Sequence, residues 1–300
     1  MTDYRAHFDA LVTFVNGGSL SAEGFRLDLP DADVDSAVVA RLFVQHLGLA
    51  LVAAAEVRNL SVVPERHRGS RGIQTEPRAD RGRLVDLSHV IHAGLVTYPG
   101  LPAPTITPHL TREASRRSYA EGTEFTMDVI TMIGNTGTYL DSPWHRYEGG
   151  TDLAGLDLET LVDQPAEVFH LQDSRQRGIP AEVFYDRDLA GKAVLLHTGW
   201  DRHFATPAYS SGAPFLSGAA ANHLVTRGVT LVGIDSINID DTESGGSRPA
   251  HSALLAAGIH VVEHLTSLGE LPTSGSSFTA VPPRLEAFGT FPVRAYARVG

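Results

Sequence analysis

Residues 135 to 145 read Asn-Thr-Gly-Thr-Tyr-Leu-Asp-Ser-Pro-Trp-His. Taken as a strand from Gly137 to Asp141, the stretch puts Asn135, Gly137, Tyr139 and Asp141 on one face, because strand side chains alternate with period two. Pro143 cannot donate to a ladder and closes the strand, which leaves His145 just past its end. The pattern predicts an amide, a phenol, a carboxylate and an imidazole gathered around one strand end.

Outward from there, short β-like runs recur at 84–87, 193–197, 229–234 and 259–262, with a longer one at 125–133. Helical patterns lie between them, as at 217–227, where Ser217 can cap the first turn. This alternation predicts the α/β class, with the principal domain over 84–300. The first 63 residues predict a helical segment. Phe8, Leu11, Val12 and Val15 fall at i, i+3, i+4 and i+7, and a second helix is expected from Asp33 or Asp35, whose charge suits a helix N-terminus, to about Val57. Residues 64–83 carry six arginines against three acids and read as a linker, with a basic lid for an anionic substrate as the alternative.

Gly137-Thr138-x-x-Asp141-x-Pro143-x-His145 resembles the second half of the His-x-Gly-Thr-His-x-Asp-x-Pro-x-His motif of the cyclase family, which includes kynurenine formamidases (arylformamidases) and isatin hydrolases. The likeness continues in Asp86-Leu87-Ser88-His89, Tyr98-Pro99-Gly100, Val194-Leu195-Leu196-His197-Thr198-Gly199-Trp200, Gly233-Ile234-Asp235-Ser236 and Pro292-Val293-Arg294-Ala295, and in His251 and Glu263 at a spacing of twelve. It implies the family's swivelling β/β/α fold with a central barrel-like sheet, an oligomer (homodimer or higher), and a hydrolase acting on a small amide, lactam or lactone.

The departure is as informative as the match. The family's two earlier motif histidines are metal ligands, and Asn135 and Tyr139 stand in their places. An amide oxygen is a weak neutral ligand, and a phenol of pKa about 10 binds a divalent ion well only after losing its proton. Asp141, His251 and Glu263 remain, and they resemble the ligands of a second ion in two-metal relatives. Two accounts follow. In the first, no cofactor is tightly bound, and crowded carboxylates create a general acid beside a general base. In the second, the same residues hold one divalent metal, zinc or manganese.

In either account the resemblance makes His145 the proton-transfer group, an imidazole whose ordinary pKa of about 6.5 suits that work. Asp141 and Glu263 orient water or hold the ion, and His251 assists. Tyr139 donates to a developing oxyanion, and Asn135 and Trp144 contact substrate. His260 and His264 fall on the opposite strand parity from Glu263 and are expected to be ordinary core or surface residues. The alternatives in function are a metal-independent cyclase or dehydratase, and a non-catalytic binding protein on a decayed enzyme scaffold.

Composition excludes several classes. Cysteine is absent, which removes disulfides, thiolate catalysis and sulfur-ligated metals. A net charge of −11 argues against a nucleic-acid surface. Lys192 is the only lysine, so any Schiff-base scheme would depend on it. No Gly-x-Ser-x-Gly elbow and no phosphate-binding glycine fingerprint occurs. Charged residues Asp3, Arg5 and Asp9 stand where a signal peptide needs an apolar run, and the apolar stretch 37–55 is interrupted by Arg41 and is too short to span a bilayer. A cytoplasmic location with no membrane partner is expected.

Overall fold

The computed structural model describes residues 4–29, 31, 33–64 and 82–300, in two compact units, Met1–Ala79 and Asp80–Gly300. The Arg-rich linker expected over 64–83 lies, from 65 to 81, outside the described residues.

The first unit corrects the helical expectation. It contains β1 (Tyr4–Phe14), β2 (Ser19–Leu29), α1 (Ser36–His46) and β3 (Val52–Pro64), with the strands in an antiparallel sheet of order β2-β1-β3. The predicted stripe fails because the spacing from Phe8 to Val12 satisfies both a helix and a strand. The decision lies with Ala6 and Ala10, which are buried in the same two-residue rhythm, while Val15 is 71% exposed. Only the first half of the second predicted helix forms. Asp35 caps it, accepting from Val38 N at 2.8 Å, but it stops at His46, ahead of Gly48 in the left-handed region at φ 63°. The alanine-rich run after Val52 then pairs with β1, Val57 opposite Ala10 and Ala55 opposite Val12, so tertiary pairing overrides the helix propensity of alanine. Phe43 of α1 packs edge-on against Phe8 and Phe25, at centroid distances of 5.5 and 4.8 Å.

The second unit has the expected α/β organisation. Its elements are β4 (Arg83–Asp86), β5 (Thr105–Leu110), α2 (Arg112–Ser115), β6 (Met127–Thr131), β7 (Tyr139–Asp141), β8 (Gln164–His170), β9 (Gly178–Ile179), β10 (Ala193–His197), β11 (Phe215–Leu216), α3 (Gly218–Arg227), β12 (Leu231–Ile234), α4 (Pro249–Ala256), β13 (His260–Glu263), β14 (Ser276–Thr279), β15 (Thr290–Pro292) and β16 (Tyr296–Val299). Nine strands form one curled, half-barrel sheet of order β15-β7-β13-β12-β10-β8-β14-β16-β4. At its centre β8, β10, β12 and β13 run parallel, and parallel strands need both faces covered. Alternation supplies two cores. Val194, Leu196, Val232, Ile234 and Val261 meet residues of α3 and α4 on one face, while Val168, Leu195, Leu231 and Val262 meet Leu87, Leu140 and Phe278 on the other. Among the described residues no helix is long and apolar enough to cross a membrane.

Gly137 is outside β7. It lies in the left-handed region at φ 64°, and a Cβ there would stand 2.9 Å from Ile91 Cγ1, so this position requires glycine. The strand therefore starts two residues later than the sequence suggests.

His260, set aside as ordinary, is a buried core histidine whose Nε2 lies 2.9 Å from Thr160 Oγ1. Burial lowers its pKa to about 4. With the folded value below the unfolded one, the unfolded chain takes up the proton first, so stability is lost as pH falls from about 6.5 toward 4. Urea unfolding at pH 7 and pH 5 checks this: His260→Gln should lose about 2 kcal/mol less than the wild type between the two.

Candidate active site

The site forms where β7, β13 and β15 meet the start of α4. β7 lies antiparallel between the other two, with Tyr139 opposite Glu263 and Pro292, and Asp141 opposite Val261 and Thr290. Side chains paired in this way share a face. Glu263 continues the row of Val261, the face covered by α3 and α4, and so meets His251, the third residue of α4. Asp141 and Glu263, far apart in the chain, converge on one imidazole: His251 Nε2 is 3.5 Å from Asp141 Oδ2 and 3.6 Å from Glu263 Oε1.

Asp240 sets the orientation of that imidazole. Its carboxylate accepts from Ala250 N at 2.6 Å and His251 N at 3.0 Å, which caps α4, and from His251 Nδ1 at 2.8 Å. With Nδ1–H committed, Nε2 faces Asp141 and Glu263. Burial alone would lower the pKa of His251, but the facing carboxylate of Asp141, the hydrogen bond to Asp240 and the nearby charge of Glu263 raise it to about 10. Burial likewise raises Glu263 to about 7. Asp141 moves the other way: burial would raise it, but the facing His251 imidazole and the charge of His145 hold it below its ordinary value.

His145 sits in a short 3-10 turn, Pro143–His145, with its side chain 35% exposed and Nδ1 3.7 Å from Asp141 Oδ1. Thr290 joins the two groups, since its Oγ1 contacts Asp141 Oδ1 and lies 2.6 Å from His145 Nδ1. A carboxylate only accepts, so the Thr290 hydroxyl donates to Asp141 and accepts from His145 Nδ1–H. The tautomer that results leaves His145 Nε2 with a free lone pair. Trp144, 38% exposed, stands beside it.

Tyr139 does not occupy the position expected of an oxyanion donor. It is buried, and its hydroxyl donates to Glu263 Oε2 at 2.7 Å. Burial first, then the charges of Glu263 and Asp141, push its pKa well above the ordinary value, while a hydrogen bond with Asn135 works against them. Asn135 therefore touches Tyr139, and both lie behind Glu263. His264 completes this layer. Burial lowers its pKa to about 3, so it is neutral. Its Nε2 lies 3.2 Å from the Tyr139 hydroxyl and its Nδ1 lies 2.9 Å from that of Tyr209. Because the Tyr139 proton goes to Glu263, His264 donates from Nε2 and accepts from Tyr209 at Nδ1.

Sequence reasoning missed Asp240, Thr290, Tyr209 and His264. The parity argument excluded His264, but its φ of 57° turns the chain immediately after β13 and breaks the alternation. Asp240 and Thr290 carry no local signal, since Asp240 acts across a loop and Thr290 through a pairing with a strand far away in the sequence.

The donor set suits one divalent cation. Asp141 Oδ2 is buried without a hydrogen-bond partner, His251 Nε2 points at it, and the Asp240 partner of His251 is the carboxylate that commonly orients a ligating imidazole. Asp141, His145 and His251 offer ligand atoms that all lie within 4.8 Å of one another. Glu263, 3.6 Å from His251, is a competing third ligand in place of His145. The expectation of no bound cofactor gains no support from this arrangement, and the divalent-metal alternative fits it. Asp240→Asn, which keeps shape but removes charge, should weaken Zn2+ or Mn2+ binding by about 10- to 100-fold in calorimetric titration, with an unchanged circular dichroism spectrum.

Comparison with known proteins agrees with the geometry. A family described as "Putative cyclase" matches residues 85–241, just over half of the chain. The chain is 32% identical over 215 residues to the kynurenine formamidase of Geobacillus thermodenitrificans (strain NG80-2), covering 71% of this chain and 96% of that protein. It is 27% identical over 216 residues to the kynurenine formamidase of Polaromonas naphthalenivorans (strain CJ2), covering 72% and 91%. Among solved structures, an isatin hydrolase bound to the product analogue thioisatinate superposes with a TM-score of 0.63 at 21% identity, over 74% of this chain and 94% of that one, a likeness of fold. A structure described as a potential metal-dependent hydrolase with cyclase activity matches with a TM-score of 0.59 at 25% identity, over 72% and 96%.

Proposed function

The chain belongs to the cyclase family, and on that premise we propose that it is a hydrolase acting on a small amide, lactam or lactone, with water activated by His145. The Asp141–Thr290–His145 chain of contacts carries this reading. It presents a partly exposed imidazole with its free lone pair at Nε2, fixed by a buried carboxylate through a hydroxyl, which is how a general base is oriented.

Asp141, His251 and Glu263 would hold one divalent ion, which supplies Lewis-acid polarisation of the scissile carbonyl. The remaining work belongs to the protein. His145 Nε2 takes a proton from the attacking water and returns it to the leaving nitrogen or oxygen. Asp141 stabilises the cation formed on His145, through Thr290 and at 3.7 Å directly. Asp240 keeps His251 from rotating, and Tyr139 keeps Glu263 in register. Trp144, beside His145 and exposed, is assigned to substrate contact. The oxyanion role expected of Tyr139 is dropped, because its hydroxyl is already spent on Glu263.

Protein purified without chelator or metal-affinity tag, analysed for metal content and assayed on a panel of N-formyl amides, lactams and lactones, tests the reading. The expected result is turnover that chelator abolishes and Zn2+ or Mn2+ restores. His145→Ala should lower kcat by about 100-fold or more and leave inhibitor affinity intact. Turnover unaffected by chelator would assign the site to metal-independent acid–base chemistry. Ligand binding with no turnover in either protein would make the chain a binding scaffold.

A further inference from the structure

A second histidine constellation lies outside the candidate active site. His170 ends β8 and His197 ends β10, and the two residues are paired in register on adjacent parallel strands. Their Nδ1 atoms are 2.8 Å apart and their rings stand at 87° to one another. By alternation, His170 continues the row of Val168 and His197 that of Leu195, the face turned away from α3 and α4. Glu263 continues the row of Val261 on the opposite face, and β12 separates β10 from β13. The pair is therefore distinct from the Asp141–His251 cluster.

The pair is held by more than its own contact. Leu171 N donates to the carbonyl of His197 at 2.7 Å, which fixes one strand end against the other. Asp235 accepts from Thr198 N at 2.8 Å and Gly199 N at 2.7 Å, which fixes the turn directly after His197. The His197 ring also lies against Gly269, where a Cβ would stand 3.1 Å from its Cε1. Burial first, then the charge of His170, lower the pKa of His197, which favours the neutral ring whose lone pair a metal can use.

We propose that His170 and His197 form a bidentate surface site for a borderline divalent transition metal, Cu2+ or Zn2+. Two imidazole nitrogens bound at about 2.0–2.1 Å lie roughly 2.9 Å apart when cis on a tetragonal ion such as Cu2+ and roughly 3.3 Å apart on a tetrahedral one such as Zn2+, so the pair opens by about half an ångström at most. Two neutral rings in Nδ1 contact share one proton between those atoms. Binding moves that proton to Nε2 of the same ring, with no change in the charge of the protein. Among the described residues no third histidine or carboxylate joins the pair in a ligand cluster, so water completes the coordination sphere and the ion exchanges readily. Two nitrogen ligands favour copper over zinc and give Mg2+ and Ca2+ little purchase.

Metal-free full-length protein, His170→Ala and His197→Ala are titrated with Cu2+ and followed by calorimetry and electron paramagnetic resonance. The wild type should bind one equivalent more than either variant, and the difference spectrum should show coupling to two nitrogen nuclei. Excess Mg2+ should leave that equivalent in place. His170 is exposed, so His170→Ala should fold normally and keep wild-type hydrolytic activity. An equal Cu2+ stoichiometry in wild type and His170→Ala, or a difference spectrum with one nitrogen, overturns the proposal. Neither outcome bears on the active centre, whose ligands are unaltered in every arm.

Discussion

The structure turns on the concentration of negative charge around a single buried imidazole. Asp141, Asp240 and Glu263 all lie out of solvent and all face His251. Buried carboxylates are tolerated only when paired, hydrogen-bonded or bound to a cation. Here the pairing is partial. Asp240 is fully engaged by the first turn of α4, and Glu263 by Ile239 N and Tyr139, but one oxygen of Asp141 has no hydrogen bond. A cluster arranged this way has a place for positive charge, filled by a proton on His251 or by a metal ion that displaces it. Much of the local architecture serves to hold these acids together against their repulsion.

Strand register accomplishes that. β7 is only three residues long, yet it pairs on both sides, so Asp141 stands opposite Thr290 and Tyr139 opposite Glu263. A slip of one residue would turn Asp141 into the hydrophobic core and expose Leu140 to the acid cluster. Leu140 and Val262, packed on the reverse face, are what make such a slip costly. The hydrophobic alternation of two short strands thus positions the polar chemistry.

The two positions at which the sequence resemblance leads one to expect histidines, Asn135 and Tyr139, belong to a hydrogen-bonded layer next to Glu263. Tyr139 places a hydroxyl proton against Glu263, where a positive charge would otherwise be needed, and Asn135 and His264 hold that hydroxyl from behind. The layer is internally consistent: each hydrogen in the chain from Tyr209 through His264 and Tyr139 to Glu263 has one donor and one acceptor. Such a fully satisfied buried network is rigid, and it leaves Glu263 oriented toward His251 whatever the occupancy of the cation site.

The α/β class, the strands at 84–87 and 193–197, the capped helix at 217–227 and the common parity of Glu263 with Val261 were all legible in the sequence, because hydrophobic alternation and capping are local. The first unit misled for the same reason. A spacing of four residues suits a helix and a strand equally, and only pairing between strands distant in sequence separates them. Asp141, His145, His251 and Glu263 could be named from motif and spacing, whereas their partners could not. Asp240 and Tyr209 reach the site across loops that no periodicity describes, Thr290 reaches it through a strand pairing far away in sequence, and His264 reaches it through a left-handed residue that reverses its expected face. The amino-acid order specified which groups are available for chemistry. Folding alone decided which nitrogen of each imidazole is free and which carboxylate oxygen is left without a partner, because these depend on hydrogen bonds between residues that are neighbours only in space.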